Sequence, residues 1–161
     1  MILRFIILEF KVLRKVMHAI HGRWKIEVNN NVLMQWFADS WNEEAIIEYI
    51  KEFRERAKPL IGKQWAIISI FDDWELGVPA IEGHVKTHCE WFIKQGCIKD
   101  CHVYSNDAAK RMQLEKMIPL NEPNYERRVF THIDDAVTWL ASEHFVLSDN
   151  SFLIENTKRV S

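Results

Sequence analysis

Much of the chemistry that usually gives a function away is missing from this chain. Its three cysteines, Cys89, Cys97 and Cys101, are odd in number and include no C-x-x-C pair. That argues against a disulfide framework and for a reducing, cytoplasmic setting. Charge is nearly balanced, with 21 basic and 23 acidic residues, so no global basic field exists to hold a polyanion and nucleic acid is not an expected partner. There is no H-E-x-x-H motif and no glycine-rich loop. Between Ile67 and His84, IISIFDDWELGVPAIEGH, the single hydroxyl residue is Ser69, which falls inside a strand pattern.

What is present suits one globular domain. A chain of 161 residues supports a sizeable core and is short for two domains. The first sixteen residues, MILRFIILEFKVLRKV, are apolar and basic. Arg4, Glu9 and Lys11 break any signal-peptide core, and the stretch is too short and too charged to span a bilayer. Wound as a helix, it would place Arg4, Lys11, Arg14 and Lys15 opposite an apolar face, the arrangement of a peripheral membrane contact. The competing expectations are an extra packed element, or translation that begins at Met17. The expected organisation is an extension over 1–16, a domain over 17–143 and a tail over 144–161.

Periodicity orders the elements. Ile20 to Val28 and Val32 to Ala38 read as strands joined by a polar turn, Asn29 to Asn31, able to take positive φ. Asn42 to Ala57 carries Ile46, Ile47, Tyr49, Ile50 and Phe53 at helical spacing, with Asn42 as N-cap and Pro59 and Gly62 as stops. Trp65 to Phe71 is the continuous apolar run of a central strand. Asp72 to Val78 reads as an acidic loop, and Pro79 and Gly96 bracket a second helix. A strand over Ile98 to Ser105, a helix over Asp107 to Met117, a strand over Arg128 to Thr131 and a helix over Asp134 to Ser142 follow. Strands alternating with helices predict a largely parallel sheet, whose ligands usually bind beyond the carboxyl ends of its strands.

The Phe71-Asp72-Asp73 strand exit, the helix opening from Pro79 to Gly83 and the closing VFTHIDDAVTWL from Val129 to Leu140 together resemble the SpoIIAA-like, or STAS-like, family over roughly Ile20 to Ser142. The resemblance implies an α/β fold with a mixed, mostly parallel sheet, an N-terminal antiparallel hairpin and the order ββαβαβαβα. It implies a non-enzymatic regulatory domain without a cofactor that binds a protein partner. Members that act as anti-sigma-factor antagonists carry an Asp at the strand exit and an Asp-Ser pair opening the next helix, with that Ser phosphorylated by a partner kinase. Asp72 matches the acid, but Val78-Pro79-Ala80 holds no hydroxyl, and Thr87 lies about two turns further on. The expected mode is therefore partner binding without that switch. The same broad fold resembles Sec14-type lipid-binding domains, which supplies the alternative of a module for a small apolar ligand or lipid.

The expected partner surface comprises Asp72, Asp73, Trp74, Glu75 and Glu82, with the indole as desolvated anchor and the carboxylates setting partner choice. The plainer role for these acids is to cap and solvate a helix start. His84 and His88, four apart, would share one helical face and are the candidates for a metal. The plainer reading is a histidine pair at the core edge. Cys101 with His88 or His132 is the candidate nucleophilic pair, with no motif to activate the thiol. Arg127-Arg128 and Lys110-Arg111 read as solvated ends of elements, and Trp24, Trp36, Trp65, Trp91 and Trp139 as core.

Overall fold

The computed structural model describes residues 20–157. The expectations for the extension over 1–16 and for a start at Met17 lie outside these residues. The opening hairpin is β1 (Arg23–Asn29) and β2 (Val32–Trp41), turned at Asn30 with φ 51°. Helix α1 (Glu43–Ala57) begins as predicted, the Asn42 side chain accepting from the Ala45 and His21 backbone N–H groups. A 3-10 turn (Lys58–Leu60) leads to β3 (Trp65–Gly77), and α2 (Ile81–Lys94) follows. Gly96, at φ 106°, ends that helix where a Cβ would strike the Lys63 carbonyl, so only glycine fits. The chain then forms β4 (Cys97–Val103), α3 (Ala108–Met117), a two-residue β5 (Asn121–Glu122), β6 (Tyr125–Phe130), α4 (Ile133–Ser142) and α5 (Ser151–Asn156).

The sheet order is β1-β2-β3-β4-β6-β5, with parallel pairing from β2 through β6 and antiparallel pairs at both edges. Each crossover from β2 to β6 steps the same way across the sheet. Right-handed connections therefore put α1, α2 and α3 on one face. Their inward side chains, among them Tyr49, Phe53, Val85, Phe92 and Leu114, form one core with Leu33, Phe37 and Ile67. The chain crosses to the other face after β6. There α4 and α5 pack Ala136, Leu140, Phe152 and Leu153 on Met34, Ile68 and Val103.

Two expectations change, and the tail, whose packing the sequence left undefined, finds a position. The acidic stretch from Asp72 is not a loop, because β3 continues to Gly77 and pairs with β2 through Ala38–Asp73, Asp39–Trp74 and Trp41–Gly77, with two register shifts. Its pairing with β4 ends at Ile70–Val103, so one side of the extension is open and polar residues are tolerated there. The segment after Glu143 packs on the second face, with Phe145, Phe152 and Leu153 buried and Asn29 and Asn30 hydrogen bonded to Ser148 and Val146. Arg127 is no solvated end: it is 3% exposed and donates to the Pro119 and Ile118 carbonyls. No described helix is long and apolar enough to cross a membrane.

Candidate functional site

Strands alternate their side chains between faces, and the register aligns the polar ones in rows. Gln35, Ser69 and His102 lie opposite one another on β2, β3 and β4, all facing α1 to α3. The Tyr49 hydroxyl donates to Gln35 Oε1 at 2.7 Å, and Gln35 Nε2 donates to Ser69 Oγ at 2.7 Å. One row back, Asp100 Oδ2 accepts from the Tyr125 hydroxyl at 2.8 Å and lies 3.3 Å from His102 Nε2. Gln35, Tyr49, Ser69, Asp100 and His102, with His88 from α2, border an interior cavity of about 60 Å³, otherwise walled by apolar side chains that include Phe37, Phe71, Trp74, Ile81 and Val85. A single water needs about 10–15 Å³ of such space, so the cavity admits several atoms.

The cavity lies directly under the segment singled out in the sequence. Trp74 is 3% exposed. Its indole is not presented to solvent as a partner anchor; it packs edge-on to Phe71 and lines both the interior cavity and an outer acidic cleft. Phe71 and Trp74 are three apart and still share the inner face, because β3 gains one residue against β2 between the Trp36–Ile70 and Ala38–Asp73 pairs, a bulge that reverses the alternation and turns Trp74 inward. Gln113 clamps the end of that strand, accepting from Gly77 N at 2.9 Å and donating to Gly77 O at 2.8 Å.

The acids stay outside. Asp72 accepts from Ser105 N at 2.9 Å, Asp73 from Trp36 Nε1 at 3.0 Å, and Glu75 from Ser40 Oγ at 3.4 Å. With Asp39 and Asp107 they line the cleft, whose two cations are already engaged. Arg23 pairs with Asp39 at 2.6 Å, and Lys110 donates to the Phe71 and Asp72 carbonyls. Glu82 stands apart from this group on α2, where Lys116 at 2.7 Å holds its carboxyl below the usual range. The opening of α2 has no side-chain cap, so the acids do not serve it in the way expected from sequence.

His84 and His88 do not converge. His84 Nε2 meets Glu43 at 2.8 Å, whereas His88 is turned into the core against Phe53, 4.4 Å between ring centres. No group of three metal-ligating side chains occurs among the described residues. The Cys101–His88 pair is also separated: Cys101 packs beneath α4 and His88 on the opposite face. Burial raises all three thiols, which leaves them poor nucleophiles. Burial with the nearby Arg54 charge pushes His88 down to about 3, and burial lowers His102, so both rings are neutral near pH 7.

Asp100, His102, Gln35 and Ser69 went unnoticed as site residues in the sequence. Their signal was period-two polarity inside strands, since Asp100 and His102 are two apart, as a single face requires. Of the indoles, Trp24, Trp36, Trp41 and Trp65 find acceptors. Trp139 finds none and instead lies under the Lys99 and Arg128 cations.

No family model matches the sequence, and no curated protein matches it. Among solved structures, an uncharacterised protein of the DUF3478 family with a SpoIIAA-like fold, from Shewanella loihica PV-4, aligns over 75% of this chain and 94% of its own, at 12% identity and a TM-score of 0.54. An anti-sigma factor antagonist from Mycobacterium paratuberculosis aligns over 74% of this chain and 94% of its own, at 16% identity and a TM-score of 0.48. Identities this low speak to architecture alone. The first alignment and the sheet order agree: the chain has the SpoIIAA-like fold.

Proposed function

We propose that this domain is a non-enzymatic binding module of the regulatory kind that takes a small, largely apolar ligand between its sheet and α1 to α3. The observation that carries this reading is the interior cavity, with Phe71, Trp74 and Ile81 of the strand-exit region in its wall. Pockets of this kind, apolar with a few convergent polar groups, are the usual form of small-molecule sites. The raised thiols support a role other than nucleophilic catalysis. Xenon pressurised over the full chain should shift the resonances of Trp74, Ile81 and Val85 saturably. Resonances that stay put would end the reading.

A second reading is favoured by the acidic cleft. Asp72, Asp73 and Glu75 outnumber the cations beside them, and those cations are engaged, so the cleft suits a basic protein surface. With Trp74 in its inner wall, guest and partner would meet through one indole. Co-purification with wild type and with Glu75→Lys and Asp73→Lys tests it: both variants should lose a partner that wild type retains. Equal recovery by all three would remove the cleft as the binding surface.

A further inference from the structure

Three side chains on the cavity wall have hydrogen-bonding atoms without a partner. His88, Asp100 and His102 are 3%, 2% and 1% exposed and line the space. Both ring nitrogens of His88, Oδ1 of Asp100 and Nδ1 of His102 are unmatched. Buried polar groups are normally paired, and several unpaired ones on one wall call for a guest that pairs them.

The unmet chemistry is one-sided. His102 turns Nε2 toward Asp100 Oδ2 at 3.3 Å, which places its proton there and leaves a lone pair on Nδ1, because burial keeps the ring neutral. Asp100 Oδ2 accepts from the Tyr125 hydroxyl, and Oδ1 offers a second acceptor. His88, also neutral, brings one donor and one acceptor. Among the atoms without a partner the wall therefore presents three acceptors against one donor, and the Ser69 hydroxyl, whose oxygen accepts from Gln35, adds a second donor. Arg127 spends Nε and Nη2 on the Pro119 and Ile118 carbonyls and leaves Nη1 unmatched, but it is not among the cavity's lining residues and so does not redress the balance there.

We infer that the cavity selects a small molecule, or the head of a longer one, that is rich in N–H or O–H donors, of the primary amide, amine or alcohol class, and that it rejects anions. This rests on the cavity being a ligand site, and it adds which end of the ligand lies at β4. An anion would set its oxygens against three lone pairs in a space with little solvent to screen them. Apolar parts of the ligand would lie toward Phe37, Trp74 and Ile81.

Acetamide and acetate are nearly isosteric and differ in this respect, and xenon has no polar group. Each is titrated into the full chain while the histidine side-chain nitrogens and the Trp74 indole are followed by NMR. Acetamide should shift the His88 and His102 nitrogens saturably and bind at least about tenfold more tightly than acetate. His88→Leu should weaken acetamide about tenfold and leave xenon binding in place. Xenon binding without acetamide binding, or acetate equal to acetamide, would overturn the donor-rich ligand while leaving the cavity reading intact. Shifts from none of the three would overturn both. The wild-type titrations decide the matter even where the variant does not fold.

Discussion

Beneath α4 and α5 the central strands present Val32, Met34, Ile68, Ile70 and Val103; beneath α1 to α3 the same strands, one residue out of phase, present Gln35, Ser69, Asp100 and His102. Six of the buried polar side chains lie on the α1–α3 side, where Arg127 joins His88 and the four just named. The other described one, Asn156, is tied to Lys25 and to the Phe152 carbonyl. One face is thus mostly apolar packing, with Trp139 Nε1 its unmatched buried polar atom among the described residues. The other carries unmatched buried polar groups, each costing about 1–3 kcal/mol, for which stability provides no reason. A single sheet can so divide its duties because a period of two lets each strand write two independent surfaces.

The contrast can be broken most sharply on the apolar face. Leu140, 1% exposed, truncated in Leu140→Ala should cost about 2–5 kcal/mol in urea unfolding, and a loss below about 1 kcal/mol would mean that this face is not tightly packed. Acid should separate the faces next. The unfolded chain takes up a proton near the usual histidine value of 6.5, while buried His88 resists it until about 3. Stability from this group is therefore full above 6.5 and is lost as pH falls between these values, by roughly 2–3 kcal/mol at about pH 4.5. His88→Leu should flatten that slope and Asn156→Leu should not; equal slopes in urea midpoints for wild type and His88→Leu would refute the assignment.

Adding volume should have opposite consequences on the two sides. Ala136→Leu, at a fully buried site under α4, should destabilise by about 1–3 kcal/mol through overpacking. Val85→Ile on the cavity wall should be neutral or stabilise by up to about 1 kcal/mol, and it should weaken xenon binding in the same sample. The smallest effect belongs to the exposed rim. Glu75→Lys should change the melting free energy by no more than about 0.5 kcal/mol, so that any lost partner reports on the cleft and not on folding.

Much of the architecture was legible because it depends on local periodicity. Helical spacing in α1, the Asn42 cap and the stop at Gly96 are neighbour-scale features, and each occurs where expected. The acids Asp72, Asp73 and Glu75 were legible as a cluster, but not as members of a strand that runs on to Gly77. Trp74 was misplaced for a tertiary reason: Asp72, Asp73 and Glu75 imitate a loop, whereas the extended pairing with β2 keeps the chain a strand and the register shift between Ile70 and Asp73 turns the indole inward. The pairing of His84 with His88 failed similarly. Residues four apart on one helix share a face in projection, but at the rim of a packed helix one side chain goes to Glu43 and the other into the core.

The sequence by itself determined the order of the main elements from β1 to α4, the parallel centre with its antiparallel hairpin and the absence of a hydroxyl at the opening of α2, since these follow from residues near one another in the chain; the two-residue β5 and the short α5 were not legible. The tertiary structure alone decided that Gln35, Ser69 and His102 share a row, that His88 reaches the same space from α2, and that Trp74 is the wall between an inner cavity and an outer acidic cleft. Strand register and helix packing join residues tens of positions apart, and local pattern holds no information about which of them will meet.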